Sequence, residues 1–552
     1  MGVVLVLPHG SELGADFQSG SLIRDFDYSS SSCVWESRRF EDAERPINCE
    51  AGGFARIRPI RSSAVFVPSS VNSDGRDCLN GHVNRTSNRA ISYTEFRHAV
   101  RRYRPSDLIP ALAEYSAAAY KDGEWELDPT VSPPWAVSAI ARDAILHGNE
   151  YRSGSVDPGT VRRLVGEFGS TYDAVTGTAA ILTPLAHEQF PYQESEFEEL
   201  SRIYALFEDP TLGPELDWTV VFGMQLREAV RAAFVLRIWV TRNCGRFDPA
   251  VMDLPHMQEV FEFVAPREHL ETAVRVLSAT VAEAKEANAL VPDLPRSLQR
   301  YTFNPLTARP LVNLADRGIW APQVMLVDRS LYPSNLYYRG VEAWGNRFAE
   351  VLGTRTEAYV GRQLDLIADK GELHGEIVYG RDAMRSVDWI WVTPRAVILV
   401  ECKSARLTLG ARAGDPTLPK ITDRYLTQAR NQLDRTSGLI RSRTPPFDQF
   451  PDDRPIVGLA VTCEPFYLGN SQLAEYGKDS AIPSVVMSLR DLERWVSLPA
   501  GEAVDRLLEI LNHPERKTWS FGVALGDLPG LRRNPILDAA WKQYDFLENE
   551  II

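Results

Sequence analysis

Residues 386–403 read SVDWIWVTPRAVILVECK and have the pattern of two short β-strands joined by a tight turn. Both halves are rich in β-branched, aromatic and other apolar residues, as strands are. Pro394 has the fixed backbone angle that the second residue of a type I or type II turn requires. With Pro394 and Arg395 at the centre of the turn, Asp388 pairs with Glu401 across the predicted hairpin.

This pairing places two acids opposite each other at the end of an apolar run. Directly opposed residues have Cβ atoms about 5 Å apart, and like charges at that distance repel each other. Lys403 shares the face of Glu401, whereas Cys402 points to the opposite face. A cation between the acids would remove the repulsion, and Mg²⁺ prefers one or two carboxylates together with water and substrate phosphate. The hairpin therefore predicts a site for a hard divalent cation.

Asp388, followed after a hairpin by Glu401-Cys402-Lys403, resembles the PD-(D/E)xK motif of restriction-endonuclease-like nucleases. In that family the two acids and the backbone carbonyl of the middle residue hold the metal, and the lysine orients or activates the attacking water. The resemblance implies catalytic roles for Asp388, Glu401 and Lys403. It also implies a Mg²⁺ or Mn²⁺ ion held by Asp388, Glu401 and the Cys402 carbonyl.

The specificity of this signal comes from its context. The tripeptide Glu-x-Lys also occurs at 283–285 and 515–517, but neither copy follows an apolar strand with an upstream aspartate at hairpin distance. Val387 stands where the motif has proline. The resemblance covers residues 341–490 and does not extend to the first 300 residues. The alternative interpretation of the tripeptide is a surface ion pair at the end of a buried strand.

Two helical residues resemble further elements of the family. An opening helix usually carries a glutamate that leans towards the metal, and Glu357 resembles that residue; the alternative is a solvent-facing acid. A glutamine from a later helix reaches the site or the DNA in related nucleases, and Gln428 resembles it. Gln432 is one turn further along the same face. The alternative for Gln428 is a surface amide.

Positive charge is concentrated around the predicted site. The chain has a formal net charge of −14, but residues 395–443 contain ten basic and four acidic residues, a local charge of +6. A protein that binds the phosphates of nucleic acid needs such a basic patch. The alternative interpretation is an ordinary charged surface in contact with solvent, which would have the same composition. The arginines that we expect to bind nucleic acid are Arg406, Arg424, Arg430 and Arg435.

The composition is that of an ordinary soluble protein with more than one domain. The 552 residues are 44% apolar and 24% charged. Six cysteines occur without CxxC spacing, which predicts neither a zinc ribbon nor a disulfide framework and fits a reducing cytoplasm. The apolar stretch 218–240 contains four charged residues, so it predicts a buried or amphipathic helix and no membrane span.

The predicted fold class is an N-terminal all-α domain followed by a C-terminal α/β restriction-endonuclease-like domain with a mixed central sheet. Helical patterns recur from Ser92, where Ser92 to Glu95 form a candidate capping box. The predicted boundaries are a poorly ordered segment at 1–91, the all-α domain at 92–295, a connector at 296–340, the nuclease-like domain at 341–500 and a helical extension at 501–552.

The function predicted from these features is a metal-dependent phosphodiesterase, specifically a DNA endonuclease of the cytoplasm. We expect DNA as the partner, with RNA left open, no membrane contact, and both a monomer and a homodimer allowed. By fold-level analogy alone, a helical domain joined to such a nuclease suggests prokaryotic defence. Two other classes remain: a catalytically inactive nucleic-acid-binding module, and a sensor or interaction protein.

Overall fold

The computed structural model describes residues 91–544, except 122, 172–177, 256, 290, 292, 368–370, 405, 416, 472–479, 527 and 529–530. The prediction that residues 1–91 are poorly ordered falls, apart from Ile91, outside the described residues.

The first half of the described chain is mainly helical. Ser92 opens the first helix with the predicted capping box, because its side chain accepts from the Glu95 N–H and the Glu95 carboxylate accepts from the Ser92 N–H. The helices are α1 Tyr93–Val100, α2 Pro105–Ala119, α3 Pro134–His147, α4 Pro158–Gly169, α5 Thr178–Gln189, α6 Glu196–Ile203, α7 Thr219–Phe222, α8 Leu226–Arg242, α9 Met257–Phe263, α10 Arg267–Leu277 and α11 Val281–Ala289.

Short strands interrupt this helical half, so the prediction of an all-α domain is wrong in that respect. They are β1 Tyr120–Lys121, β2 Glu124–Trp125, β3 Arg246–Phe247 and β4 Ser278–Thr280. Strand β4 separates α10 from α11, because residues 278–280 pair with residues 311–313 further along the chain.

The predicted connector at 296–340 is part of the same fold. It contains β5 Leu311–Asn313, β6 Ile319–Trp320, α12 Leu326–Arg329 and the start of α13 Pro333–Trp344. Strands β5 and β6 complete a four-stranded sheet in the order β3-β6-β5-β4. The segment is therefore folded back onto the helical half instead of bridging two domains as an extended chain.

The second half is built on a five-stranded mixed sheet, as predicted. Its elements are α14 Asn346–Asp365, β7 Glu372–Gly375, β8 Val378–Tyr379, β9 Met384–Arg385, β10 Trp389–Val392, β11 Val397–Lys403, α15 Leu409–Arg412, α16 Leu418–Arg441, β12 Ile456–Thr462, β13 Ser484–Ser488, α17 Leu489–Trp495, α18 Ala500–Asn512, α19 Phe521–Leu525 and α20 Pro535–Trp541. The strand order is β13-β12-β11-β10-β7. Strands β11, β12 and β13 are parallel, and β10 and β7 run antiparallel to their neighbours.

Both faces of this sheet are covered, which is why β11 and β12 are almost continuously apolar. On β11, Leu399 belongs to the cluster that packs against α16, whereas Val400 belongs to the largest hydrophobic cluster of the protein. That largest cluster runs from Ala117 in α2 to Tyr544 after α20. The helical half and the sheet half therefore share one hydrophobic core across the predicted boundary.

The described residues contain no helix whose length and apolar character would let it cross a membrane. The cysteines Cys402 and Cys463 are buried free thiols.

Candidate active site

The hairpin β10–β11 has the predicted register. Trp389 pairs with Val400 and Val392 with Val397, so Asp388 and Glu401 occupy the next opposed position. Asp388 lies one residue before β10, and its Oδ2 accepts a hydrogen bond of 2.7 Å from the Cys402 N–H. The prediction that the two acids meet at the end of the hairpin is confirmed.

The backbone at Cys402 is oriented towards Asp388. The N–H and C=O of one strand residue point to the same side of the strand, so the Cys402 carbonyl is directed to the β10 side together with its N–H. The neighbouring Lys403 carbonyl accepts from the Cys463 N–H at 3.2 Å, on the β12 side. The Cys402 thiol is buried on the opposite face of the sheet, where burial raises its pKa. Only the carbonyl of this residue is therefore placed to act as a ligand.

Lys403 is held between two oxygen atoms. Its Nζ lies 2.6 Å from Glu401 Oε1 and donates to Gln432 Oε1 at 2.9 Å. Gln432 is on α16, one turn after Gln428. Gln428, the glutamine that the sequence predicts to reach the site or the DNA, is exposed to solvent in the structure. The glutamine that contacts the lysine is therefore Gln432.

Glu401 is the most deeply buried acid of the site, with 2% of its surface exposed. Burial, together with the nearby carboxylate of Asp388, raises its pKa to about 8, although Lys403 opposes the shift. Its Oε1 is bound by Lys403, whereas its Oε2 is buried without a hydrogen-bond partner among the described residues. A half-satisfied buried carboxylate is costly unless another ligand completes it.

Glu357 reaches the same cluster from α14. Its carboxyl group has a pKa raised to about 7 by partial burial and by the charges of Asp388 and Glu376, and lowered less strongly by Lys403. The helix is fixed there by Trp389, whose indole N–H donates to the Glu357 carbonyl at 3.0 Å.

Gly361 permits that close approach of α14. A Cβ atom at this position would lie 2.2 Å from the Trp389 ring, so a larger residue would push the helix away. No sequence pattern indicates this contact, because it joins residues distant in the chain.

The donor set indicates which metal fits. Within the part of the chain that the structure describes, no three His, Cys, Asp or Glu side chains are gathered closely enough to hold an ion alone. The unpartnered Oε2 of Glu401, the carboxylate of Asp388 and the Cys402 carbonyl are oxygen atoms, the type of donor that hard divalent cations prefer.

The predicted nucleic-acid-binding arginines divide into two groups. Arg424 and Arg435 are exposed on α16 and Arg430 is half-buried there. Arg406 is buried instead, so its prediction as a nucleic-acid contact is wrong. Its guanidinium lies 3.9 Å from Glu464 and over the ring of Tyr337, because this buried acid after β12 attracts the loop that follows β11.

Glu376 and Arg385, which the sequence analysis did not select as site residues, also belong to the neighbourhood. Glu376 raises the pKa of Asp388 and of Glu357, and Arg385 lowers that of Glu357. A separate depression lined by His374 and Arg454 lies at the other end of β10 and has no part in the cluster.

Comparisons with protein-family models, with curated proteins and with solved structures found no match for this chain. Its function is therefore inferred from the chemistry of its own residues.

Proposed function

We propose that the chain is a metal-dependent phosphodiesterase, and specifically a DNA endonuclease whose residues 341–500 have a restriction-endonuclease-like fold. One observation carries the proposal. Glu401 is buried near the C-terminal end of the central strand β11, opposite Asp388 and bound to Lys403, with one carboxylate oxygen that no described residue satisfies. Stability alone does not explain this arrangement, whereas a bound cation does.

Asp388, Glu401 and the Cys402 carbonyl would hold Mg²⁺ or Mn²⁺. When bound, the ion supplies positive charge at the phosphate and makes a water molecule more acidic. The carboxylates set the position of that charge because both are fixed, Asp388 by the Cys402 N–H and Glu401 by Lys403. The first task of the protein side chains is thus to orient ligands where β10 begins and β11 ends.

Lys403 would orient the attacking water. An ammonium group has three N–H donors, and two of them are used by Glu401 and Gln432. These two contacts fix the side chain, so the third donor has a defined direction for a water or a phosphate oxygen. Its positive charge also opposes the repulsion between the phosphate and the acids.

Glu357 would move a proton at this site. A group with a pKa of about 7 exchanges protons readily at neutral pH, which is the condition for a general acid or base. Its exposed position at the end of the cluster gives it access to water. We assign it the proton of the attacking water or of the leaving oxygen.

The exposed arginines Arg424 and Arg435 would contact the DNA backbone. Their charge is separate from the acids of the site and faces solvent, so it is available to phosphates. All the proposed catalytic groups come from one chain, so both a monomer and a homodimer are compatible with the site. A role in prokaryotic defence stays a proposal by analogy.

The test is cleavage by the purified full-length protein. Supercoiled plasmid, linear DNA and RNA are incubated with Mg²⁺, Mn²⁺ or EDTA, and Glu401→Gln, purified in parallel, controls for contaminating nucleases. We expect the intact protein to nick or cut plasmid with Mg²⁺ or Mn²⁺ and not with EDTA. Binding of DNA without any cleavage would show the inactive binding module instead. If the protein neither bound nor cut nucleic acid, a sensor or interaction protein would be the remaining class.

A further inference from the structure

The hairpin β8–β9 stands beside the acidic cluster and is anchored at its base. The N–H of Ser386 donates to the Ile377 carbonyl at 3.0 Å, and the Ile377 N–H donates to Ser386 Oγ at 2.9 Å. The next N–H, that of Val387, donates to Thr436 of α16 at 3.2 Å. The position of the hairpin relative to Asp388 is therefore fixed by hydrogen bonds on both sides.

Arg385 is the last residue of this hairpin and carries a guanidinium that is mostly in solvent. Its Nη1 lies 2.7 Å from Glu376 Oε2, yet 69% of its side chain remains exposed. An exposed ion pair of this kind adds little to stability, so folding alone gives little reason for it. Arginine presents five N–H donors in a fork that matches phosphate oxygens.

The charges around Arg385 define what it could bind. Burial and the charges of neighbouring acids raise the pKa of Glu357, Asp388 and Glu401, and Glu376 is one of those neighbours, so the four carboxylates lie near each other. A phosphate that approaches them is repelled. Lys403 is already bound to Glu401 and Gln432. Arg385 is a second basic side chain whose charge acts on Glu357. The exposed guanidinium of Arg385 is therefore open to a phosphate that enters this neighbourhood.

A polar and basic surface continues from Arg385 along α16. The Arg435 guanidinium donates to the Arg385 carbonyl at 3.0 Å, which joins the two elements. Among the described side chains of this helix, the exposed ones recur every three or four positions and include no acid. They are Lys420, Arg424, Gln428, Asn431, Arg435, Gly438 and Arg441.

We propose that Arg385 binds a backbone phosphate of the nucleic acid next to the cleaved position, exchanging its ion pair with Glu376 for that contact. The proposal rests on the proposed nuclease function and names a residue outside the motif. Arg435 and the rest of the exposed α16 face would carry the following phosphates away from the cluster. The partner is thus a phosphodiester backbone, which Arg385 contacts regardless of base sequence.

The test measures binding separately from cleavage. A short fluorescein-labelled DNA duplex is titrated with full-length protein in EDTA, and fluorescence anisotropy gives the dissociation constant at several salt concentrations. We expect Arg385→Ala to weaken binding about tenfold, because losing one phosphate contact of this class costs about one decade. The slope of log affinity against log salt should become shallower by about 0.9, the value for one phosphate. Arg385→Lys keeps the charge, so its affinity should lie between that of the unmodified protein and that of Arg385→Ala.

Arg381→Ala is the matched control, since it removes the same charge from the turn of the same hairpin. It should bind nearly as tightly as the unmodified protein, with an unchanged salt slope. Wild-type affinity in Arg385→Ala, or an equal loss in Arg381→Ala, would overturn the proposal. If the unmodified protein still cut plasmid in that case, the nuclease function would stand. A protein that neither bound nor cut nucleic acid would refute both.

Discussion

Glu401 and Lys403 form an ion pair of 2.6 Å at the end of β11, and the second oxygen of the same carboxylate is buried without a described partner. The two oxygens thus have different roles. Oε1 keeps the lysine in place, and Oε2 is the oxygen that we propose binds a metal ion. This division is the reason why a change of one atom in Glu401 is informative.

Glu401→Gln should abolish cleavage while preserving the fold. The amide has nearly the shape of the carboxylate but lacks its charge, so it is a poor ligand for a hard cation. We expect plasmid cleavage with Mg²⁺ to fall by at least about 10²–10³, the loss typical for removing one preorganised charge-stabilising group. Glu372→Gln is the control, because Glu372 is an acid of the same sheet paired with Val392 at the opposite end of β10. Equal activity in the two variants would contradict the assignment.

The same carboxyl group should make the metal-free protein less stable as the pH rises. Its pKa is about 8 in the folded protein against an ordinary 4.5, so the folded state holds more protons than the unfolded state between these values. The free energy of unfolding therefore decreases as the pH rises through this window, by about 2–4 kcal/mol from this group.

Thermal unfolding in EDTA between pH 5 and pH 8 measures this effect. Glu401→Gln should show a smaller decrease, because the amide does not titrate. Added Mg²⁺ should stabilise the unmodified protein more at pH 8 than at pH 5, since the ligand must be deprotonated. A variant whose stability followed the same pH dependence as the unmodified protein would show that another group is responsible.

Gln432 should matter more for turnover than Gln428. Gln432→Ala removes one of the two contacts that fix Lys403, so we expect the single-turnover cleavage rate to fall by about 10–100-fold, as for other residues that orient a catalytic group. Gln428→Ala lies one turn away on the same helix and should change the rate much less. DNA affinity in EDTA should be similar in the two variants. The reverse order of effects would favour the choice made from the sequence.

The register of the hairpin could be predicted from the sequence, whereas the position of α16 along the sheet could not. Alternation of apolar residues and a proline turn define the register of β10 and β11, so the meeting of Asp388 with Glu401 followed from local rules. Gln428 and Gln432 share one helical face, and the choice between them depends on how far α16 is shifted along the sheet. That shift is set by packing, for example of Leu433 against the strands, which periodicity does not reveal.

Long-range charge pairing explains the other differences. Arg406 is buried because Glu464, distant in sequence, is buried beside it. The hydrophobic core is continuous across the predicted boundary between the two halves, because residues of α2 and of α20 belong to the same cluster. Amphipathic patterns identify a buried face but not the element that covers it.

Arg202 of α6 should be essential for the stability of the whole chain. Its guanidinium donates to both oxygens of Glu493 on α17, and Glu493 also accepts from Tyr359 of α14 at 2.7 Å. All three side chains are buried, and the network connects the helical half to the helix that carries Glu357. Arg202→Met leaves Glu493 buried without its cation, so we expect a loss of about 3–5 kcal/mol in the free energy of unfolding. The double variant Arg202→Met with Glu493→Leu removes the charges of this pair, while the buried Glu199, which also contacts Arg202, keeps its ion pair with Arg490, so the double variant should be more stable than Arg202→Met alone. Urea unfolding followed by circular dichroism measures both, and a double variant less stable than Arg202→Met would refute this account of the network.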